Sequence, residues 1–167
     1  MKYAVVFESR TGNTAELAEH IKSLISPENL VFFGKPSAYA AQADLIFVGT
    51  WTDKGTCCDE IAGFLKGLSG KQIFIFGTAG FGGSPEYFNV ITSRIVKNIP
   101  SGNIIKGSYF CQGKMPQSVR ARYEAIEKTD PLKAKPMLEN FDKALSHPDK
   151  NDIERLEKAV LPFLNNL

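Results

Sequence analysis

Residues 3–14 read YAVVFESRTGNT. Five consecutive apolar residues rich in β-branched and aromatic side chains suit a strand covered on both faces, where no apolar–polar alternation is needed. The run stops in a loop of hydroxyls around Gly12, and a helical pattern begins at once. Leu17, Ile21, Leu24 and Ile25 fall on one stripe over 13–25, and Ser26-Pro27 ends it. A buried strand, a short loop and an amphipathic helix form the first half of a right-handed crossover in a parallel sheet.

The same unit recurs outward from this stretch. LIFV at 45–48 and IFIF at 73–76 are continuous apolar runs that end in Gly- or Thr-containing loops, and segments 30–33 and 104–111 bring the strands to five. Helical stripes lie between them at 59–68 (Ile61, Phe64, Leu65, Leu68) and 86–97 (Phe88, Ile91, Ile95). The alternation predicts a single α/β domain over 1–167, doubly wound on a five-stranded parallel sheet. The last helix is marked by Asp149 as N-cap with Asp152 three residues on, and by Ile153, Leu156, Val160 and Phe163 on its apolar face. That leaves 112–147 as a helical insertion between the last strand and the last helix, with helices near 117–127 and 135–145 broken by Asp130-Pro131.

Apolar residues make up 43% of the 167 and charged residues 23%, which is ordinary globular usage and argues against a disordered tail or a coiled coil. No 18 uncharged apolar residues run together, and the apolar run after Met1 and Lys2 is too short for a signal peptide, so a cytoplasmic protein away from membranes is expected. Cys57, Cys58 and Cys111 fit neither a zinc knuckle nor a disulfide framework, which suggests reduced thiols. A net charge of +2 does not advertise nucleic-acid binding. The charge is uneven: residues 1–90 carry 7 Lys/Arg against 9 Asp/Glu, and residues 91–167 carry 13 against 9. A solvated helical surface or an anionic partner would account for the basic half.

The loop SRTGNT at 9–14 lacks both GxGxxG and GK[ST], which disfavours a dinucleotide fold and a nucleotide triphosphatase. It offers a cluster of hydroxyls, a Gly for close backbone approach and unpaired N–H groups at a helix start, an anion site suited to a phosphate monoester. The alternative is a Ser/Thr-rich cap without a ligand, although one capping hydroxyl would suffice for that.

A first strand followed by SRTGNT, a strand DLIFVGT running into Trp51, and a strand IFIFGT running into a Gly-rich loop together resemble the flavodoxin family over about residues 2–111 and the final helix. The resemblance implies strand order 2-1-3-4-5, FMN as cofactor and electron transfer as the activity. It places the phosphate at Ser9, Thr11, Gly12, Asn13 and Thr14, with Arg10 on a variable position, its side chain either helping to hold the phosphate or pointing to solvent. It places the flavin ring between two loops, with Thr50, Trp51, Thr52 and Gly55 on the first and Thr78, Ala79, Gly80 and Phe81 on the second. Trp51 is the stacking candidate, against a Trp that merely plugs the sheet edge, and Gly55 is the candidate for a flipping peptide. Where the family often carries an aromatic cover, this chain has Pro85, so either Phe81 covers the outer flavin face or that face is open; Tyr87 is either core packing or a second stacking residue.

No catalytic residue and no metal ligand is assigned; His20 and His147 have no spacing to acids or cysteines that builds a metal site. Cys57 and Cys58 read as packing or helix-cap thiols, although the helix start at Asp59 could lower a thiol pKa. Three functions stay open. One is a carrier between a donor flavoprotein or ferredoxin and an acceptor reductase, against which the near-neutral charge counts; the others are a small FMN-dependent reductase with substrate on the open face, and a docking module without flavin. CQGKMP at 111–116 and HPD at 147–149 are similar to bacterial flavodoxin-family proteins that accompany a bilin reductase. The insertion, with Lys114, Arg120 and Arg122, leaves from the flavin edge and serves either partner choice or packing.

Overall fold

The continuous apolar runs form parallel strands because every residue in them has a hydrophobic layer to enter, above or below the sheet. The computed structural model describes residues 1–164. In chain order its elements are β1 (Tyr3–Phe7), α1 (Asn13–Leu24), β2 (Leu30–Gly34), β3 (Leu45–Asp53), β4 (Thr56–Cys57), α2 (Asp59–Lys66) and β5 (Gln72–Ala79). Then follow α3 (Pro85–Val96), β6 (Ile104–Gln112), α4 (Gln117–Glu127), α5 (Pro131–Ala144) and α6 (Lys150–Val160). The order β2-β1-β3-β5-β6 is parallel throughout, and β4 pairs antiparallel with the end of β3. Among the five parallel strands alone this is the flavodoxin-like order 2-1-3-4-5, and α4 and α5 form the expected insertion.

Side-chain parity divides the core. Val5, Phe47 and Phe74 lie opposite one another across β1, β3 and β5 and pack beneath Leu17 and Ile21 of α1 and Leu156 and Val160 of α6. The next row, Val6, Val48 and Ile75, faces Ile61 and Leu65 of α2 and Ile91 and Ile95 of α3. Successive strand residues alternate between these two layers, as the pleat requires.

The structure departs from the sequence reading at three places. Residues 52–57 form the short β3–β4 hairpin rather than an open loop, with Thr52 opposite Cys57. Helix α5 begins four residues before the expected 135, since Asp130 accepts a hydrogen bond from the Lys133 amide and Pro131 suits a first helical turn; the Asp-Pro pair starts this helix as well as ending the preceding segment. Phe163 lies beyond α6 in a 3-10 turn, from which its ring reaches Phe74 at 5.7 Å.

At Gly77 a Cβ would stand 2.4 Å from the Phe110 ring and 2.4 Å from the Thr50 carbonyl oxygen, and that backbone cannot yield. Gly77→Ala is therefore expected to destabilise the protein by about 1–3 kcal/mol, read as a lower urea midpoint at constant m-value. An unchanged midpoint would mean that the sheet accommodates the methyl.

Candidate functional site

The crossover from β1 leads outward to β2, whereas β3 leads by way of α2 to β5, so the loops after β1 and β3 part at their carboxyl ends. The loops after β5 and β6 open on the same edge. All four meet there.

In the first loop, Ser9 Oγ accepts hydrogen bonds from the amides of Gly12 at 3.2 Å and Ala15 at 3.1 Å. Gly12 turns the chain into α1 with φ of 92°, a conformation that favours glycine. Asn13, 5% exposed, donates from Nδ2 to Thr11 Oγ1 at 3.0 Å and to the Lys114 carbonyl at 2.8 Å, while its buried Oδ1 has no partner among the described residues. Thr14 is buried, its hydroxyl paired with that of Thr78 at 3.1 Å. The amides of Asn13 and Thr14 make no hydrogen bond among the described residues. Ser9 and Thr11 oxygens act as acceptors, which leaves their hydroxyl protons to donate. This start of α1 thus holds free donors for an anion beside one orphaned acceptor that suits an alcohol.

The first ring loop is braced from below. Thr50 is buried, donates to the Trp51 carbonyl at 2.7 Å and accepts from the Cys58 amide at 3.3 Å, while Thr52 donates to the Thr78 carbonyl at 2.9 Å. Trp51 is half-buried against the α2–α3 layer, and the Arg10 guanidinium lies 5.4 Å from its ring centroid. Arg10, although exposed, is thus engaged by the indole. Lys54 and Gly55 both have positive φ, 47° and 80°, as a two-residue hairpin turn requires, and Arg94 donates to the Gly55 carbonyl at 3.3 Å. In the second loop, Phe81 meets Tyr123 of α4 edge-on at 6.5 Å. Pro85 sits in the first turn of α3 behind the Ser84 cap, and Tyr87 packs on Phe88 at 6.0 Å while also lining the site.

The loops enclose a trough in two adjoining parts. One, about 330 Å³, is lined by Arg10, Thr11, Asn13, Trp51, Thr52, Thr78 and Gly80. The other, about 390 Å³, is lined by Thr52, Gly55, Ala79, Gly80, Phe81 and Tyr87. Ser9, Gly12, Thr14 and Thr50 are not among these lining residues. Sequence reasoning brought the insertion, with Lys114 and Arg122, to this edge but named neither Met115 nor Val119: Met115, Val119 and Arg122 line both parts, and Lys114 lines the first. The insertion is therefore a wall of the trough, a placement signalled only by its departure from the carboxyl end of β6. The lining carries Arg10, Lys54, Lys114 and Arg122 and no carboxylate. Arg120 is not part of this group, since Asp142 and Glu124 hold it on another side of α4.

Sequence spacing also hid the partners of the two histidines. His147 Nδ1 lies 2.5 Å from the buried Asp152 carboxylate, with Asp149 completing a cluster within 4.8 Å, and His20 lies 3.0 Å from Glu157. Asp149 and Asp152 form a reciprocal capping box on α6, and the Asp152 amide holds the Asp149 carboxyl below the usual range. Cys57 and Cys58 are buried beside the hairpin, and burial pushes both thiols up rather than down; the same holds for Cys111.

The family model for the flavodoxin domain matches residues 4–161. The flavodoxin-like domain-containing protein BilS of Clostridium symbiosum (strain WAL-14163) is 36% identical over 181 residues, covering 96% of this chain and 95% of that protein. Its namesake from Clostridioides difficile (strain CD3) is 33% identical over 162 residues, covering 92% and 90%. The crystal structure of oxidised Flavodoxin 2 from Bacillus cereus has the same fold, with a TM-score of 0.58 at 16% identity over 98% of this chain and 97% of that one.

With their pKa values raised, the three thiols hold little thiolate at neutral pH. Labelling with an aromatic disulfide reagent at pH 7 is expected to be slow in the native protein and rapid in urea. One thiol that reacts at the unfolded rate while the protein is folded would contradict this.

Proposed function

The chain belongs to the flavodoxin family, and on that premise we propose that it binds FMN along the trough and carries electrons from a donor flavoprotein or ferredoxin to a dedicated acceptor, a bilin reductase. One observation carries the reading of the trough: among the described residues, free amides and hydroxyl donors of the loop after β1 lie beside an orphaned buried acceptor, and the lining holds four cations and no carboxylate. A phosphate ester that also carries alcohols matches that set of groups. When bound, FMN supplies reversible electron chemistry that protein side chains lack.

In this reading the amides of Asn13 and Thr14 and the hydroxyls of Ser9 and Thr11 hold the phosphate, and Arg10 adds charge beside it. Asn13 Oδ1 accepts from an alcohol of the ligand. Thr14 and Thr50 act from behind, through Thr78 and the Cys58 amide, by fixing the loops. Trp51 offers its indole to the flavin ring, and the amides and carbonyls from Thr52 to Gly55 and from Thr78 to Phe81 border the ring edge. For Arg10 the indole contact adds about 0.5–1 kcal/mol, little enough for the guanidinium to move as a ligand enters.

The choice of acceptor is supported by the insertion. The two segments that resemble proteins accompanying a bilin reductase, 111–116 and 147–149, meet in the fold, where the Lys114 amide donates to the His147 carbonyl at 3.0 Å. Lys114 and Arg122 would attract an acidic partner or a carboxylate-bearing substrate. A second reading, a small FMN-dependent reductase, draws support from the second part of the trough, which has room beside Tyr87 and Tyr123. Reduction of a bilin by the reduced protein alone would favour it.

Thr11→Ala is expected to cost FMN affinity about 0.5–1.5 kcal/mol and to leave riboflavin affinity unchanged, as judged by fluorescence titration. Equal losses for both ligands would remove the phosphate from this loop. With the double variant Lys114→Gln/Arg122→Gln, electron delivery to the acceptor should slow and lose much of its salt dependence. The parent rate across a salt series would assign both residues to packing instead.

A further inference from the structure

Met115, an insertion residue that reaches over the loop after β5, lies at Gly80, where that loop has no side chain. A Cβ on Gly80 would stand 2.5 Å from Met115 Cγ and 2.6 Å from Sδ, so the thioether occupies the space above Gly80. Met115 borders both parts of the trough, together with Thr52 and Gly80. In the loop after β5, Phe81 meets Tyr123 edge-on and, like Tyr87, lines only the second part of the trough, and position 85 is a proline in the first turn of α3.

The main chain that presents Met115 is held from three sides. Gly113 donates to the Ala79 carbonyl at 3.0 Å, Lys114 donates to the His147 carbonyl at 3.0 Å, and the Lys114 carbonyl accepts from Asn13 Nδ2 at 2.8 Å. Pro116, the N-cap of α4, restricts the residue before it to extended backbone. Met115 thus stands between two fixed points, with only its side chain free to adjust. An unbranched thioether is soft and polarisable, fills irregular gaps and interacts favourably with aromatic rings.

We propose that Met115 covers one face of the flavin ring, so that the insertion, and not the loop after β5, supplies the wall on that side. The inference rests on the FMN reading and adds a residue to it. A thioether cover binds the ring less strongly than a stacked aromatic and can swing aside without moving the backbone. It gives this chain a ring contact that belongs to the same segment as its cationic rim.

The test is fluorescence titration of apoprotein with FMN and with riboflavin, for the parent, Met115→Ala and Met115→Leu, with thermal unfolding as a check on each fold. Expected for Met115→Ala is a loss of roughly three- to tenfold in affinity, the same for both flavins, with brighter residual emission from the bound ring. Met115→Leu, which keeps the volume, should retain most of the affinity. FMN bound by parent and alanine variant with the same affinity and emission would overturn the proposal, as would a loss confined to FMN, which would route the effect through the phosphate loop. Failure of the parent to bind either flavin would overturn the cofactor reading and this inference with it. Should the alanine variant not fold, Met115→Gln carries the test, with the same expected direction and the same overturning result.

Discussion

A sheet buried on both faces has one place left for polar chemistry, the ends of its strands. Here the rows Val5–Phe47–Phe74 and Val6–Val48–Ile75 seal the two faces against four helices. Burying an unpaired polar group among them would be costly, so hydroxyls, amides and charges collect in the loops. Because the chain runs outward from β1 and in the other direction from β3, those loops separate at one point, and the trough follows from the topology before any ligand is considered.

The strands and the helix stripes were legible because burial on both faces writes itself as uninterrupted apolar runs such as IFIF, whereas the strand order came from the resemblance to the flavodoxin family. The loop at 9–14 stood out as a candidate anion site because four hydroxyl or amide side chains around Gly12 exceed what a helix cap needs. Local pattern could not reveal what depends on tertiary approach. Met115 looks like an ordinary loop residue until its side chain is found over Gly80, and Arg122, visible in sequence only as a charge of the insertion, lines both parts of the trough. Asp152 reads as a capping residue, which it is, yet its carboxylate also meets His147, a contact made by a turn of the chain before α6. Arg120 follows Lys114 closely in sequence, and its pairing with Asp142 of α5 takes it out of the cleft group.

Net charge is a poor guide to this molecule. The total of +2 conceals a trough with four cations along its walls, while acids of the insertion and of α6 are engaged elsewhere, Glu124 and Asp142 by Arg120 and Asp152 by His147. Low overall charge weakens long-range steering, and the field inside a concave site is set by what lines it. An anion would therefore be drawn strongly only at short range, after encounter.

The hydrogen bond from the Lys114 amide to the His147 carbonyl ties the start of the insertion to its last residue across 3.0 Å. A loop whose ends are stapled together exerts no pull on the strand and helix that flank it, and its closure entropy grows only with the logarithm of its length. Residues 115–146 can therefore gain, lose or exchange turns while β6 and α6 keep their places. It works as a socket: the outer surface of the insertion can vary while the sheet and helices beneath it stay constant, except at the few side chains that face inward.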